Sequence, residues 1–334
     1  MDGLLSIIIV NYKTPVLLLA CLQSVYDQPA VLPFEVIVVD NDSRDDSQSL
    51  IKGAFPSVRW IQMGYNSGFA RANNEGIRKS LGETVLLLNS DTLVENNAID
   101  LCYRSFARSR YSACGVQLLN EDRSFQISGN YFMMGGLNNL LPLPYVGTII
   151  KWLGNAVHIK KPHLAIEERE IEVDWINGAF LMVKKSAIAH AGLMDEDFFL
   201  YAEEAEWCAR LHKAGKLVLY GQYTVIHLQG QSSNAAFNTA DKGYYNLYDK
   251  KGFQIMLSNF VRIRKQSGVG WFIFQLVVYS STIPVYFILN VVRIILGIKN
   301  TDARSVSGFS KNVLRLWTYC RRIIRNRPYF YKVL

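Results

Sequence analysis

Four short apolar runs alternate with three segments of helical pattern near the start of the chain, and this alternation most constrains the fold. The runs occupy residues 6–10, 34–40, 58–63 and 84–89, and they are rich in β-branched residues or leucine without polar alternation. Such runs are typical of central strands buried on both faces. Helices are predicted between them, at 15–26, 45–53 and 67–80. The alternation predicts an α/β fold with a mostly parallel sheet and helices on both sides.

Composition supports a large folded body. Half of the 334 residues are apolar, which excludes global disorder. The five cysteines are scattered without metal-type spacing, and this pattern indicates reduced thiols in a cytosolic setting. The first apolar run lacks a basic leader, so we interpret it as a β-strand and not as a signal peptide.

Charge divides the chain into two predicted regions. Residues 1–241 carry 20 Lys and Arg against 26 Asp and Glu, whereas residues 242–334 carry 16 against 2. We therefore expect a catalytic domain at 1–241, with a nucleotide half at about 1–118 and an acceptor half at about 119–241. A basic, apolar helical region follows at 242–334. Residues 120–170 are the least regular part of the first region and indicate loops or short helices over a site.

The basic region contains the longest stretch without charge, from Gln266 to Val292. Apolarity beside basic flanks favours an anionic membrane surface over nucleic acid as the partner. Because both flanks are basic, a single crossing would leave one of them on the disfavoured side. Pro284 offers a break, so we expect two short helices that dip into the inner leaflet and return. The alternative is a soluble helical hairpin packed on the body.

Polar residues follow all four predicted strands. Strand one ends in "NYKTP", strand two in "VVDNDS", the third leads into "GYNSGFARANN", and the fourth ends in "NSD" at 89–91. The carboxyl ends of parallel strands form the ligand-binding edge of an open α/β sheet. Two of these stretches also have a structural interpretation: "NSD" is typical of a turn, and Asp42 or Ser43 is suited to cap the next helix. The coincidence of four such ends favours nucleotide binding.

Three features at this edge suit particular parts of a nucleotide. Asp40 is placed to accept a hydrogen bond from a pyrimidine N3–H, and its neighbours are placed to cap the next helix. Arg71 is expected to meet a diphosphate. The backbone amides that open the helix at Ser67 offer a further anion site.

Seven stretches together resemble the family 2 glycosyltransferases of the GT-A fold, particularly the bacterial rhamnosyltransferase-like members. They are "SIIIVNYKTPVLLLACLQSV", "FEVIVVDNDSRDDS", "YNSGFARANNEGI", "LLLNSDT", "DWINGAFLMVKKSAI", "GLMDEDFFLYAEEAEWCARLHKAGK" and "HLQGQSS", and they cover most of residues 4–233. The resemblance implies a GT-A type, Rossmann-like sheet and an inverting, metal-dependent transferase that uses a sugar nucleotide.

The resemblance also implies site residues. "NSD" stands where the family carries its Asp-x-Asp metal motif, so Asp91 is expected to hold Mn²⁺ or Mg²⁺, while Asn89 replaces the first acid. His227 is the second expected ligand, although a lone histidine after an apolar strand is more often structural. The expected donor-binding residues are Asn11, Asp40, Asn41, Arg71, Asn74, Asn89, Ser90 and Asp91.

The expected acceptor side depends on "FFLYAEEAEWCARLHKAGK". Glu204, Trp207, Cys208 and Leu211 share one helical face, so Glu204 is predicted to head a buried apolar stripe. In the family an acidic pair here supplies the general base, which implies Glu204, with Glu203 as second choice. Glu206 and Arg210 are interpreted as a surface ion pair. The resemblance places Trp175, Asn177 and Gly178 in the sugar and acceptor pocket, with core packing as the alternative for Trp175.

The combined expectation is transfer of a sugar, with dTDP-rhamnose favoured over UDP-hexoses, to a lipid-linked or polysaccharide acceptor. The expected location is the cytoplasmic face of the plasma membrane. A non-catalytic, membrane-bound nucleotide- or glycan-binding relative remains as a rival because of Asn89 and the Glu203-Glu204 pair. A nucleotidyltransferase ranks low, since "NYKTPVLL" after the first strand is not a glycine-rich, basic loop.

Overall fold

The computed structural model describes residues 3–29, 32–156, 169–228, 247–296 and 303–333. The chain divides into two compact units. The first comprises Met1–Tyr131, Pro162–Phe199 and Glu203–Ala240, and the second comprises Phe132–Lys161, Leu200–Ala202 and Asp241–Leu334. The predicted boundary at 241/242 and the stretch "QGQSS" lie outside the described residues. The second unit also takes in residues 132–161, which the charge pattern assigned to the body.

The first unit is an α/β unit. Its elements are β1 (Leu5–Asn11), α1 (Pro15–Tyr26), β2 (Phe34–Asp40), α2 (Ser47–Ala54), β3 (Arg59–Gln62), α3 (Gly68–Lys79), β4 (Thr84–Asn89), β5 (Thr92–Val94), α4 (Ala98–Ala107), β6 (Ala113–Leu119), β7 (Gly129–Asn130), β8 (Glu170–Val173), β9 (Trp175–Ile176), β10 (Phe180–Lys184), α6 (Lys185–Ala191), α7 (Glu203–Ala214) and β11 (Leu217–His227). The predicted order of the first four strands and three helices is confirmed.

The main sheet has nine strands in the order β3-β2-β1-β4-β10-β6-β11-β5, with β8 also paired to β11. Strands β1 to β4 are parallel, and β10 runs antiparallel between β4 and β6. Strand β11 runs parallel to β6 and antiparallel to β5. Strands β7 and β9 form a separate antiparallel pair. The carboxyl ends of β1, β2 and β4 therefore meet at one edge.

Each central strand is buried on both faces, as its unbroken apolar run predicts. In β1, Ile7 and Ile9 belong to one core cluster and Ile8 belongs to the other. All three side chains are fully buried. Helices covering both faces therefore exclude water from the sheet and leave its carboxyl edge as the place where polar groups collect.

The second unit is helical. It contains a 3₁₀ helix (Met134–Leu140), α5 (Val146–Ala156), α8 (Lys250–Ile295) and α9 (Ala303–Arg325). Among the described residues, α8 is the one helix long and apolar enough to cross a membrane, judged by length and composition. The 3₁₀ helix packs on α8 through buried polar groups: Gln275 donates to the Gly135 carbonyl at 2.6 Å and the Tyr279 hydroxyl to the Asn139 carbonyl at 2.8 Å.

The predicted break at Pro284 is wrong, because α8 continues through this residue. The hydroxyls of Ser280 and Thr282 donate to carbonyls one turn earlier, and such bonds let a helix adapt around a proline. The break lies at Gly268, whose φ of 88° and ψ of −178° are open essentially to glycine alone. The segment from Val269 to Ile295 is therefore one uninterrupted apolar helix.

Candidate active site

The ends of β1 and β2 are joined by a buried hydrogen-bond network. The Asn11 amide donates to Asp40 at 2.8 Å and to the Ser43 hydroxyl at 3.1 Å. The Thr14 hydroxyl donates to the Asn11 amide oxygen and lies 3.3 Å from the Ser90 hydroxyl. The structure therefore brings Asn11, Asp40 and Ser90 together, as the strand-end argument expects.

Asp40 is 3% exposed and its carboxylate already has several protein donors. Oδ1 accepts from Asn11 and from the Ser43 hydroxyl, at 2.8 and 2.5 Å. Oδ2 accepts from the Ser43 amide and from Gln62, at 3.0 and 2.7 Å. The bond from Ser43 N to Asp40 Oδ2 closes a turn and does not cap a helix. The predicted capping of the next helix by Asp42 or Ser43 is wrong, because α2 begins at Ser47 after Asp46, which makes no side-chain capping bond. A pyrimidine N3–H would have to replace one of these donors or share its acceptor oxygen. The exposed Gln62 side chain is the donor best able to move.

A cavity of about 550 Å³ lies beside this network. It is lined by Tyr12, Lys13, Asp42, Ser43, Arg44 and Asp45. Lys13, Asp42 and Arg44 all have positive φ, between 55° and 67°. Such backbone is unusual outside glycine and is often found at ligand sites. The family resemblance did not point to Lys13 or Arg44 as site residues. Their positions in "NYKTP" and "NDSR", directly after two strands, were the local signal for a cationic site.

The predicted anion site at the start of α3 is wrong, because its first amides already have partners. Ser67 N donates to Asn41 Oδ1 at 2.7 Å, Gly68 N to Asn66 Oδ1 at 3.2 Å, and Phe69 N to the Phe199 carbonyl at 2.8 Å. Asn41 thus positions the helix start. Gly68 is required here, since its φ is +76° and a Cβ would lie 2.2 Å from the Phe199 carbonyl oxygen.

Arg71 and Asn74 hold the loop that precedes α7. Arg71 Nε donates to the Glu196 carbonyl at 3.0 Å. The fully buried Asn74 amide binds both backbone groups of Met194, at 2.9 and 3.0 Å, and also donates to the Glu196 carboxylate. Burial raises the pKa of Glu196, but hydrogen bonds from Arg78 and Asn74 outweigh it, so the pKa is lowered. These contacts give Asn74 a structural task, and its expected contact with the donor stays a prediction.

The triplet Asn89-Ser90-Asp91 forms both a turn and a polar site. It connects β4 to β5, and the Thr92 hydroxyl donates back to the Asn89 carbonyl at 2.8 Å. Asp91 is 1% exposed and His227 is 4% exposed. Pairing of β11 with β5 sets His227 opposite Thr92, which brings His227 Nε2 to 3.4 Å from Asp91 Oδ1. The Asn89 amide nitrogen also lies 3.4 Å from Nε2.

The His227 ring is held from behind by Gln126, which sequence reasoning missed. Gln126 Oε1 lies 2.9 Å from His227 Nδ1. In the neutral ring, this contact makes Nδ1 the donor and leaves Nε2, facing Asp91, with a lone pair. A carboxylate oxygen and an imidazole lone pair are cation ligands, so this pair fits a divalent metal. In the described part of the chain no group of three or more His, Cys, Asp or Glu residues is placed to hold a metal, so such a site would be open for a ligand's oxygens.

The acidic pair at the start of α7 differs from its predicted arrangement. Glu203 is 2% exposed, whereas Glu204 is partly exposed, so Glu204 does not head the buried stripe of Trp207, Cys208 and Leu211. Two left-handed residues precede the helix, Tyr201 at φ 72° and Ala202 at φ 66°. With this backbone, Glu203 is turned inward while Glu204 remains partly exposed.

The Glu206–Arg210 pair is also not the surface ion pair that was expected. Glu206 is 6% exposed and binds Arg210 through both of its oxygens, at 2.8 and 2.7 Å. Arg210 further donates to the carbonyls of Ala191 and Leu193. The pair therefore ties α7 to the end of α6. Helical spacing alone predicted the pair but not its burial.

The "DWINGA" stretch lies against α7. A Cβ at Gly178 would be 3.6 Å from Glu204 Cβ and 3.6 Å from the Phe69 ring. The Asn177 side chain accepts from Ala179 N at 2.9 Å and donates to the Ile127 carbonyl at 3.3 Å. Trp175 is partly buried in β9 and packs on the core. Gly178 and Glu204 are thus neighbours, as a shared acceptor pocket requires.

The chain is similar in sequence to a known protein family and to characterised relatives. The sequence model described as Glycosyl transferase family 2 matches residues 6–173. The hexosyltransferase Agl10 of low-salt glycan biosynthesis in Haloferax volcanii is 30% identical over 227 residues, 66% of this chain and 65% of that protein. The N-acetylglucosaminyl-diphospho-decaprenol L-rhamnosyltransferase of Mycobacterium tuberculosis is 28% identical over 218 residues, 60% and 68% of the two chains. The chain therefore spans about two thirds of the length of these relatives.

A solved structure shares the fold. The mannosyltransferase PcManGT from Pyrobaculum calidifontis, in complex with GDP-Man and Mn²⁺, superposes with a TM-score of 0.52 at 13% identity. The match covers 95% of this chain and 86% of that one. At this identity the similarity concerns the fold alone. The family model, which matches half of the chain, shows that the chain belongs to glycosyl transferase family 2.

Proposed function

We propose that the protein is an inverting glycosyltransferase that uses a divalent cation and a sugar nucleotide. The observation that carries the proposal is the buried pair of Asp91 and His227 at the carboxyl edge of the sheet, with 3.4 Å between Oδ1 and Nε2. Asp91 follows β4, and its neighbour Ser90 lies 3.3 Å from the Thr14 hydroxyl of the Asn11–Asp40 network. His227 ends β11. Ligands of open α/β sheets bind along this edge.

The cation would be held by Asp91 and His227, with donor oxygens and water completing its shell. When bound, it stabilises negative charge on the nucleoside diphosphate. Asn89 adds no charge, so Asp91 supplies the protein's anionic ligand in this triplet. Mn²⁺ and Mg²⁺ are both compatible with a carboxylate and few other protein ligands.

Glu204 is the proposed general base. Glu204 is partly exposed and lies beside Gly178, where the lack of a side chain leaves space for an acceptor next to Glu204. Glu204 takes the hydroxyl proton as the acceptor oxygen attacks the anomeric carbon. Attack on the face opposite the leaving nucleotide inverts that carbon. Glu203 is the second choice, since its burial separates it from an incoming acceptor.

The proposed donor is dTDP-rhamnose, with UDP-hexoses next. Support comes from the relatives, one named a rhamnosyltransferase and the other a hexosyltransferase. The rhamnosyltransferase's name also supports a lipid-linked or polysaccharide acceptor. A non-catalytic nucleotide- or glycan-binding relative is the second candidate, favoured by Asn89 in place of an acid.

We further propose that the second unit docks on an anionic membrane. From residue 273 of α8 to Leu296 just after it, eleven large apolar side chains are 39 to 77% exposed: Ile273, Phe274, Val277, Val285, Phe287, Ile288, Val291, Val292, Ile294, Ile295 and Leu296. Ser281 is the exposed polar residue in this segment, and the buried side holds Gln275, Thr282 and Asn290 besides Leu276 and Tyr279. So large an outward apolar set is unusual for a helix of a water-soluble protein, where the apolar stripe faces inward. We call the exposed set the apolar face.

The packing of α9 favours docking over crossing. Trp317 Nε1 donates to the Ser280 hydroxyl at 3.1 Å, so α9 lies alongside α8. It exposes Arg315, Arg321 and Arg322. These side chains are costly in hydrocarbon but suit the head-group level, where Trp is also favoured. The apolar face would enter the outer part of the cytoplasmic leaflet, with the arginines on anionic head groups.

A binding and turnover screen tests the proposal. The full chain is mixed with dTDP-rhamnose, UDP-glucose, UDP-N-acetylglucosamine or GDP-mannose, with Mn²⁺ or with chelator, and its melting temperature is recorded. We expect stabilisation by one donor class only when Mn²⁺ is present. Release of nucleoside diphosphate in the presence of membrane extract then separates an enzyme from a non-catalytic binder. Stabilisation that chelator leaves unchanged contradicts the metal assignment.

A further inference from the structure

Gln126 makes an unusual set of contacts with a single residue, His227. Its Oε1 lies 2.9 Å from the ring Nδ1, and its Nε2 donates to the His227 backbone carbonyl at 2.6 Å. Gln126 is 8% exposed. One side chain thus holds both the ring and the backbone of the same histidine. The ring orientation is thereby set relative to β11.

The orientation of the Gln126 amide follows from its neighbours. Besides the His227 carbonyl, Nε2 donates to Asn120 Oδ1 at 2.8 Å and to the Leu119 carbonyl at 3.3 Å. Backbone carbonyls accept and never donate, so an exchanged amide would set its oxygen against two other acceptors. The oxygen must therefore face Nδ1, and Nδ1 of a neutral ring must carry the proton. The lone pair is then on Nε2.

The backbone around Gln126 keeps this side chain inward. Gln126 N donates to the Leu118 carbonyl at 2.9 Å, and its own carbonyl accepts from Gln117 at 3.0 Å. The neighbours Phe125 and Ile127 are 54 and 60% exposed. An extended chain alternates its side chains, so a glutamine points in and two apolar residues point out. This inversion of the usual pattern indicates that a polar group is needed inside.

We propose that Gln126 is a positioning residue that fixes the tautomer and ring orientation of His227, so that the Nε2 lone pair faces Asp91. The proposal rests on the metal site proposed above. Groups that hydrogen-bond to metal-ligating histidines set ligand basicity and geometry, and their loss typically weakens metal affinity about 10- to 100-fold. Gln126 touches neither substrate nor metal in this role.

The test compares two glutamine variants of the full chain. Gln126→Met keeps the side-chain length and removes both hydrogen-bonding groups. Gln254→Met is the matched control, because Gln254 is also a buried glutamine that uses both amide groups, donating to the Tyr331 carbonyl and accepting from Val333 N, but it lies in the second unit. Mn²⁺ affinity is measured without donor by the paramagnetic signal of free Mn²⁺, and the melting temperature is measured in parallel. We expect about a 10- to 100-fold weaker affinity for Gln126→Met and an affinity near wild type for Gln254→Met.

A second measurement needs neither metal nor a variant of Gln126. The ¹⁵N shifts of the histidine rings in the metal-free wild type distinguish protonated Nδ1 from protonated Nε2, and a His227→Gln sample assigns the resonance. We expect protonated Nδ1. In the neutral ring a proton on Nε2 in place of Nδ1, an unchanged affinity in Gln126→Met, or an equal loss in Gln254→Met would each overturn the proposal. Failure of the wild type to bind Mn²⁺ would instead overturn the metal site, while the ring shifts still decide the role of Gln126.

Discussion

His227 Nε2 lies 3.4 Å from Asp91 Oδ1, and both side chains are almost completely buried. The two residues are far apart in sequence and are joined by the pairing of β11 with β5. A carboxylate and an imidazole lone pair this close in a buried site favour a cation between them. The first prediction follows from this pair.

Replacing Asp91 by Asn is expected to reduce sugar transfer to background. The change keeps the shape of the side chain and removes its charge, and therefore the anionic ligand of the proposed metal. Steady-state transfer and Mn²⁺ affinity are the measurements, and chelator should act on the wild type in the same way. Asn89→Ala is the comparison and should be milder, since Asn89 carries no charge. Full activity of Asp91→Asn in chelator would rule out metal dependence.

Glu204→Gln is expected to lower kcat about 10²- to 10⁴-fold while donor affinity is retained. The substitution keeps the shape of the side chain beside Gly178 but removes the proton acceptor. Calorimetry with the donor and turnover with an acceptor are measured on the same preparation. Glu203→Gln is the control and should retain more activity, because Glu203 is buried. Loss of donor binding along with turnover would make Glu204 a binding residue.

Gly68→Ala is expected to destabilise the protein more than Gly64→Ala. Both glycines have nearly the same positive φ, +76° and +74°, so alanine is strained at either site by about 1–2 kcal/mol. A Cβ at Gly68 also meets the Phe199 carbonyl oxygen at 2.2 Å, whereas nothing lies within 4 Å at Gly64. Thermal and urea unfolding measure the difference. Equal losses would show that the contact with Phe199 does not constrain the start of α3.

Serine at Phe287 and Ile288 together is expected to release the protein from anionic vesicles. Both side chains belong to the apolar face and are 60 and 59% exposed. Burying such a side chain contributes roughly 1.5–3 kcal/mol, so losing two lowers partitioning by about 100-fold or more. Co-sedimentation with phosphatidylglycerol vesicles is the measurement. Val16→Ser with Leu81→Ser is the control, since these residues are 74 and 60% exposed but lie in the first unit. Equal release by the control pair would contradict a specific docking face.

Much of the fold could be predicted because its signals are local. The unbroken apolar runs mark strands buried on both faces, and helical spacing marks α1, α2 and α3. The polar ends of these strands also indicated an edge site. Local spacing was misleading where burial depends on distant elements. It assigned Glu204 to the buried stripe and Arg210 to the surface, but two left-handed residues and the end of α6 decide those environments.

The break in α8 shows the same limit in a single helix. Pro284 is the stronger general signal for a break. The hydroxyls of Ser280 and Thr282 donate to carbonyls one turn earlier and accommodate it, and the helix breaks at Gly268 instead. The pair of glycines at 268 and 270 was the available local signal. A helix breaks where the backbone needs a conformation that only glycine adopts, and the surrounding packing sets that need.

The sequence by itself determined the alternation of strands and helices, the polar carboxyl edge and the family motifs, because these depend on neighbours a few residues apart. The tertiary structure alone decided which distant polar groups meet. His227 reaches Asp91 because β11 inserts between β6 and β5, and Gln126 reaches His227 because the chain after β6 returns beneath it. Strand order is set by burying both faces of the whole sheet, so no local pattern encodes these contacts.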